Sequence, residues 1–240
     1  MKKLYERTMK EAYSLADAEI LATLTRDGGA CLDCGAGKGS RFEKLASQIE
    51  LEQSQYFGIE WDLPSVREAA ERGLNVQQGD LNQQLPFPDE NFSCIFALSV
   101  LEHLLRGCNF MKECHRTLKD GGKLVILTPN ISTYFSVLLL LLGKMPSSGP
   151  HPDSEKLLKE EEIFTVRSAN LVPDPESDTP VHRHLVVFSF SVLKKYLEMA
   201  GFSKVKGYGF GLYPFPNFMQ PLLERIDPYH CHQMVFIAEK

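Results

Sequence analysis

Apolar positions along this chain fall into two alternating rhythms. Short apolar runs at Ala30–Asp33, Gln55–Glu60, Asn75–Gln78, Cys94–Leu98 and Lys123–Thr128 predict strands. Helical spacing at Ser40–Glu50, Leu63–Gly73 and Cys108–Lys119 predicts the crossovers between them. Strands alternating with helices imply an α/β domain built on a parallel sheet, because parallel neighbours need a long crossover. Asp120-Gly121-Gly122 is expected to separate the last of these helices from its strand, and Gln84–Asn91 reads as a Pro-broken loop. Ahead of this core, Leu4, Met9, Tyr13, Leu15, Ile20 and Leu24 recur at helical spacing and predict an N-terminal helical cap over 1–26. After Asn130 the alternation stops. Residues 131–184 hold an apolar helix candidate and then a stretch rich in Pro, Ser and acids, the pattern of an insertion or lid within one domain spanning 1–240. Ser189–Ala200 returns to helical spacing, with Ser189 or Ser191 as N-cap and Gly201 as C-cap. Strands are predicted at Phe202–Phe210 and Gln233–Ala238, joined by an ordered Pro- and aromatic-rich loop over Gly211–Cys231.

Composition narrows the class. With 43% hydrophobic and 24% charged residues, the 240-residue chain can bury a sizeable core. Its net charge of −5 and scattered Lys and Arg do not suit a nucleic-acid partner. No signal peptide is legible, and the longest apolar run, about a dozen residues, falls short of the ~20 that a membrane span needs. A cytoplasmic protein is therefore expected. Six scattered cysteines read as reduced, mostly buried thiols. Cys31 and Cys34 form a C-x-x-C, but three residues along a strand turns them to opposite faces, and no second pair stands at finger spacing. No metal ligands are assigned.

The stretch A-C-L-D-C-G-A-G-K-G at 30–39 ends a strand and opens onto Gly35, Gly37 and Gly39. Such a loop lets backbone approach a nucleoside-bearing ligand. Its spacing is not the dinucleotide G-x-G-x-x-G, and no second mononucleotide half follows residue 130, so a nicotinamide dehydrogenase is disfavoured. Glu60 closes the second strand, where a carboxylate can accept from both ribose hydroxyls. Asp80 closes the third, placed to accept from an adenine amino group. Each acid taken alone reads first as a solvated strand end or a helix cap, and it is their joint occurrence that speaks for a ligand.

Taken in order, these segments resemble the class I S-adenosylmethionine-dependent methyltransferases, in the broad branch acting on small molecules, lipid precursors and cell-envelope sugars. LDCGAGKG at 32–39 is similar to the first motif, GIEWD at 58–62 to the ribose motif, and GDLNQQLPFPDENFSCI at 79–95 to the adenine loop and fourth strand. SVLEHL at 99–104, LKDGGKLVILTPN at 118–130 and HLVVFSFSVLKKYLEMAGF at 184–202 continue the series. The resemblance implies a Rossmann-like seven-stranded sheet, mostly parallel with its last strand antiparallel, helices on both faces and a lid. It implies S-adenosylmethionine as cofactor and S-adenosylhomocysteine as product. Asp33, Cys34 and the Gly35–Gly39 loop would hold the methionine portion, Glu60 the ribose, Trp61 an adenine face, and Asp80 with Leu81 the adenine edge. Backbone near Ala97 and Leu98 would contact the methionine end. The chain departs from the pattern at Ser93, where an acid is usual, at Pro64, one place late, and at Cys34, where a small or apolar residue is typical.

Methyl transfer from a sulfonium is an in-line displacement, for which the protein mainly supplies alignment. A neutral acceptor still profits from a base, and His103, His182 and His184 are candidates, with His103 and His184 preferred. The acceptor implied is a small or lipid-linked molecule. Ile131–Gly143 is apolar on nearly every face, consistent first with burial, then with a lid, then with peripheral membrane contact. Oligomeric state is open, and a non-catalytic scaffold or regulatory module of the same fold stands as the alternative to an enzyme.

Overall fold

The computed structural model describes residues 2–146, 148–154, 156–157 and 183–240. Most of the expected 131–184 insertion, including His182, therefore lies outside the described residues. Seven strands form one sheet: β1 Cys31–Cys34, β2 Tyr56–Glu60, β3 Asn75–Gln78, β4 Phe92–Leu98, β5 Leu118–Pro129, β6 Lys204–Phe210 and β7 Gln233–Glu239. Their order is β3-β2-β1-β4-β5-β7-β6. β7 runs antiparallel to both neighbours, and the first five strands are mutually parallel, as the family resemblance implied.

The described helices are α1 Lys2–Asp27, α2 Ser40–Ala46, α3 Leu63–Glu71, α4 Gly107–Thr117, α5 Tyr134–Leu141, α6 Phe190–Met199 and α7 Gln220–Ile226. Strand parity divides the core into two layers. Cys94 and Phe96 of β4 face α1, α2 and α3, where Ala16, Ile20, Leu45 and Ala69 are buried. Ile95 and Ala97 face α4 and α6, among Phe110, Met111, Leu193 and Leu197. Cys31 falls in the first layer and Cys34 in the second, the opposite-face placement expected of C-x-x-C on a strand, and all six cysteines are free thiols.

Three local expectations are corrected. Asp120-Gly121-Gly122 does not separate helix from strand: α4 stops at Thr117, Leu118 already pairs with Phe92, and the turn is absorbed as a register shift before Lys123 pairs with Cys94. Gly211–Cys231 is not a plain loop, since α7 lies within it. Pro221 misled because prolines signal breaks, yet in the first turn of a helix its missing N–H has no partner to lose. Ser189 does occupy the N-cap of α6, but its side chain makes no capping bond, and Ala200 is the C-cap with Gly201 (φ +111°) just beyond it.

α5 begins at Thr133, whose hydroxyl accepts from Ser136 N at 2.9 Å. Within α5 the burial expected first holds only at Ser136 and Leu139; Val137, Leu138, Leu140 and Leu141 are exposed. Among the described residues no helix is long and apolar enough to cross a membrane.

The strand order reverses between β1 and β4. In open α/β sheets that reversal leaves a crevice at the carboxyl ends of the two strands, where ligands bind. The glycine loop leaves β1 there, and the Ser99–His103 segment leaves β4 beside it.

Candidate functional site

Gly35, Gly37 and Gly39 have φ of +75°, +52° and +76°, the left-handed region that glycine enters without a Cβ penalty. A Cβ on Gly35 would stand 2.6 Å from Val100 Cγ2, so the loops leaving β1 and β4 abut at this point. A Cβ on Gly37 would meet nothing within 4 Å: the middle glycine faces open space. The backbone N–H groups of Gly35 and Ala36 both donate to the Ile59 carbonyl, at 2.8 and 3.1 Å, which pins the loop to β2.

Glu60, at the tip of β2, reaches back to this loop. Its Oε2 accepts from Gly37 N at 2.8 Å and its Oε1 from Asp62 N at 2.9 Å. The Glu60 carbonyl accepts from Gly79 N at 3.0 Å, tying the tip of β3 to the same rim. Asp80 Oδ1 accepts from the backbone N and the side-chain amide of Asn82, both at 2.9 Å, and Leu81 is buried below. Asn82 in turn accepts from Arg106 N at 2.9 Å, joining this loop to the start of α4. Trp61 is 71% exposed, too much for a core role. Ala97 pairs in register with Cys34, and both side chains are fully buried, so these two reach the crevice through backbone alone; Leu98 is half-buried at the strand end.

Asp33 sits lower in β1. It is buried, and Tyr56 Oη donates to its Oδ2 at 2.6 Å. Burial pushes its carboxyl up to about 7, against the opposing pull of the Tyr56 bond and of Arg41. A group so poised is sensitive to any cation brought near it.

The two preferred histidines are brought together although 81 positions separate them. The His103 and His184 rings lie 5.2 Å apart at 67°. His103 Nδ1 lies 3.0 Å from the Arg183 carbonyl, and His184 Nδ1 is bonded to the Ser148 carbonyl. Burial lowers both, His184 to about 4, so both imidazoles are held neutral near pH 7. Sequence reasoning passed over three residues here. Glu102 is buried, takes a 2.9 Å bond from Thr128 Oγ1, and is pushed by burial up to about 7. His151 stacks on His184 with centroids 4.6 Å apart. Ser99 adopts φ +59°, rare for a residue with a Cβ, and lies 3.1 Å from the Tyr13 hydroxyl of α1. The lone acid in the apolar run L-E-H-L-L was the available signal for Glu102. Nothing local marked Ser99 or His151.

Residues 32–126 match a family model described as a methyltransferase domain. A probable S-adenosylmethionine-dependent methyltransferase of Mycolicibacterium smegmatis is 29% identical over 105 residues, 43% of this chain and 39% of that protein. Probable tRNA methyltransferase 9B of Homo sapiens is 34% identical over 104 residues, 42% of this chain and 21% of its own length. The match thus spans well under half of either relative. Phosphoethanolamine N-methyltransferase 2 of Haemonchus contortus, solved in complex with S-adenosyl-L-methionine, superposes with a TM-score of 0.57 at 16% identity, over 93% of this chain and 52% of that one.

Proposed function

We propose that the chain, whose residues 32–126 match a methyltransferase-domain model, is a class I S-adenosylmethionine-dependent methyltransferase that transfers a methyl group to a small or lipid- or sugar-linked acceptor. The observation that carries this reading is the Glu60 carboxylate bridging Gly37 N–H and Asp62 N–H, which closes the glycine loop against the tip of β2. The residues fit an adenosine-bearing cofactor. Gly37 leaves open space where a Cβ would intrude, and Glu60 keeps lone pairs for hydroxyl donors beyond its two backbone bonds.

When bound, S-adenosylmethionine supplies a sulfonium-activated methyl for in-line displacement. In this reading Asp33 and the Gly35–Gly39 backbone hold the methionine end, Glu60 the ribose, Trp61 a face of adenine, and Asp80 with the Leu81 backbone its edge. Trp61 suits that task, since an indole left 71% exposed has aromatic area to cover. Val100, abutting Gly35, brings the exit of β4 to the reacting end, and His103 and His184 flank the acceptor. The net charge of −5 disfavours a polyanionic acceptor, and the exposed leucines of α5 suit an apolar one. In this reading the 1–240 chain acts as one domain.

Calorimetric titration with S-adenosylmethionine tests the reading. Wild-type protein is expected to bind, and Glu60→Ala to bind at least tenfold more weakly. No heat with wild type, or NADH binding in its place, sinks it. Incubation of the enzyme and isotopically labelled cofactor with metabolite, lipid and tRNA fractions then assigns the acceptor class by where the label appears.

A further inference from the structure

We propose that Glu102, His103 and His184 form a divalent-cation site of the two-histidine, one-carboxylate type at the carboxyl end of β4, built to hold an oxygen of the methyl acceptor. One ligand atom from each residue lies within 4.8 Å of the others. Such a set from three chain positions, two adjacent and one 81 residues away, is held together by backbone bonds. The Glu102 carbonyl accepts from Leu185 N at 2.7 Å and Val186 N at 3.3 Å, stapling the 184–186 segment onto the exit of β4.

The tautomers follow from the partners. A backbone carbonyl only accepts, so the Nδ1 of His103, facing Arg183 O, and the Nδ1 of His184, facing Ser148 O, both carry the proton. In that tautomer each Nε2 is the ring's acceptor nitrogen, the atom a cation would take. Anchoring one ring nitrogen on a carbonyl while the other ligates is the usual orientation of metal-binding histidines. Thr128 Oγ1 performs the same service for Glu102, fixing Oε2 at 2.9 Å. His151 adds a buttress. Its Nδ1 accepts from His184 N at 3.2 Å, and its ring stacks on that of His184. The carboxylate is 2% exposed, and among the described residues no Lys or Arg pairs with it. Burial disfavours an ionised carboxylate here, and a bound cation would supply the counter-charge that stabilises it.

Two imidazoles and one carboxylate suit borderline ions of the zinc, manganese or iron(II) class better than calcium or magnesium. Ligand bonds of roughly 2.1 Å in tetrahedral geometry place donors about 3.4 Å apart, so binding draws the three side chains inward by about an ångström. Three protein ligands leave further positions open. The ion's role rests on the methyl-transfer reading, whereas its binding does not. A hydroxyl of the acceptor coordinated there loses its proton to solvent water more readily. The oxygen lone pair forms the O–CH₃ bond as the S–CH₃ bond breaks, and the departing electron pair stays on sulfur as S-adenosylhomocysteine forms. The acceptor class is therefore a hydroxyl-bearing molecule, and the two histidines first considered as bases become ligands.

The test uses untagged full-length protein, stripped by chelator and titrated with Co²⁺. One equivalent per chain is expected to give visible bands of four- or five-coordinate cobalt, bleached by Zn²⁺. His184→Ala and Glu102→Gln are expected to weaken uptake at least 100-fold, Thr128→Val about tenfold, and His230→Ala not at all. Far-UV dichroism checks each fold. Should buried Glu102 prove intolerant, half-buried His184 still decides. No bands in wild type, or equal affinity in His184→Ala, overturns the site. S-adenosylmethionine titrated into the same samples separates the two readings. Metal uptake without cofactor heat sinks methyl transfer alone, and cofactor heat without metal uptake sinks this site alone.

Discussion

Replacing Asp33 by Asn should remove a pH dependence of stability that the fold builds into β1. Burial raises this carboxyl from 3.8 to about 7, so the folded chain holds a proton that the unfolded chain gives up. Stability must then fall as pH climbs from about 4 to about 7, and level off above. A shift of about three units amounts to roughly 4 kcal/mol in full, and roughly 2.5 kcal/mol of it falls between pH 5 and pH 8. Asn keeps an oxygen for the Tyr56 hydroxyl, now bonded at 2.6 Å, and carries no charge. Urea denaturation of both proteins at pH 5 and pH 8 measures the effect as a double difference, in which groups common to both cancel, Glu102 included. The variant should lose about 2.5 kcal/mol less than wild type over that interval, a relative midpoint change on the order of 1 M urea. Parallel losses within about 0.5 kcal/mol would refute the burial argument. The same proton governs the ligand. If ionised Asp33 is the form that meets the methionine ammonium, cofactor affinity should rise about tenfold from pH 6 to pH 8 in wild type and stay flat and weaker in Asp33→Asn.

Gly35→Ala should cost at least 2 kcal/mol by thermal melting, because its Cβ would stand 2.6 Å from Val100 Cγ2 at φ +75°, whereas Gly37→Ala, facing open space at φ +52°, should cost about 1 kcal/mol and chiefly weaken the cofactor. Trp61 is the sole tryptophan and 71% exposed, so S-adenosylmethionine should change the intrinsic fluorescence of wild type, and Trp61→Ala should weaken binding while changing stability by less than about 0.5 kcal/mol. An unchanged emission spectrum at saturating cofactor would remove Trp61 from the site.

The glycine-loop half of the candidate site was legible because its determinants are local. A glycine at positive φ is demanded by the backbone itself, and Gly35, Gly37 and Gly39 all sit there. An acid ending an apolar run announces a strand tip, and parity along β1 put Cys31 and Cys34 on opposite faces, as found. The errors share one cause. Asp120-Gly121-Gly122 and Pro221 were read as breaks from residue identity, while the tertiary setting let a strand pass through the first and a helix start across the second.

The acceptor side obeys a different logic, and the Glu102–His103–His184 cluster shows why. Glu102 and His103 form an unremarkable dipeptide, and His184 is one loop histidine among several; neither position states a need that a neighbour in sequence answers. Their meeting depends on Leu185 N and Val186 N donating to the Glu102 carbonyl, backbone bonds that any side chains at 185 and 186 would permit. A pattern search therefore has nothing to find at the staple, only at its outcome. The same reasoning explains why E-H was read as a single base: one histidine beside a strand end suggests proton transfer, and only the second ring, turned by the Ser148 carbonyl toward the first, makes ligation the better use of both. A variant that removes the shorter bond of the staple without touching a ligand, such as Leu185→Pro, should then loosen metal uptake while leaving cofactor binding by the Gly35–Gly39 loop intact. Equal loss of both would mean that the two halves are not separately specified.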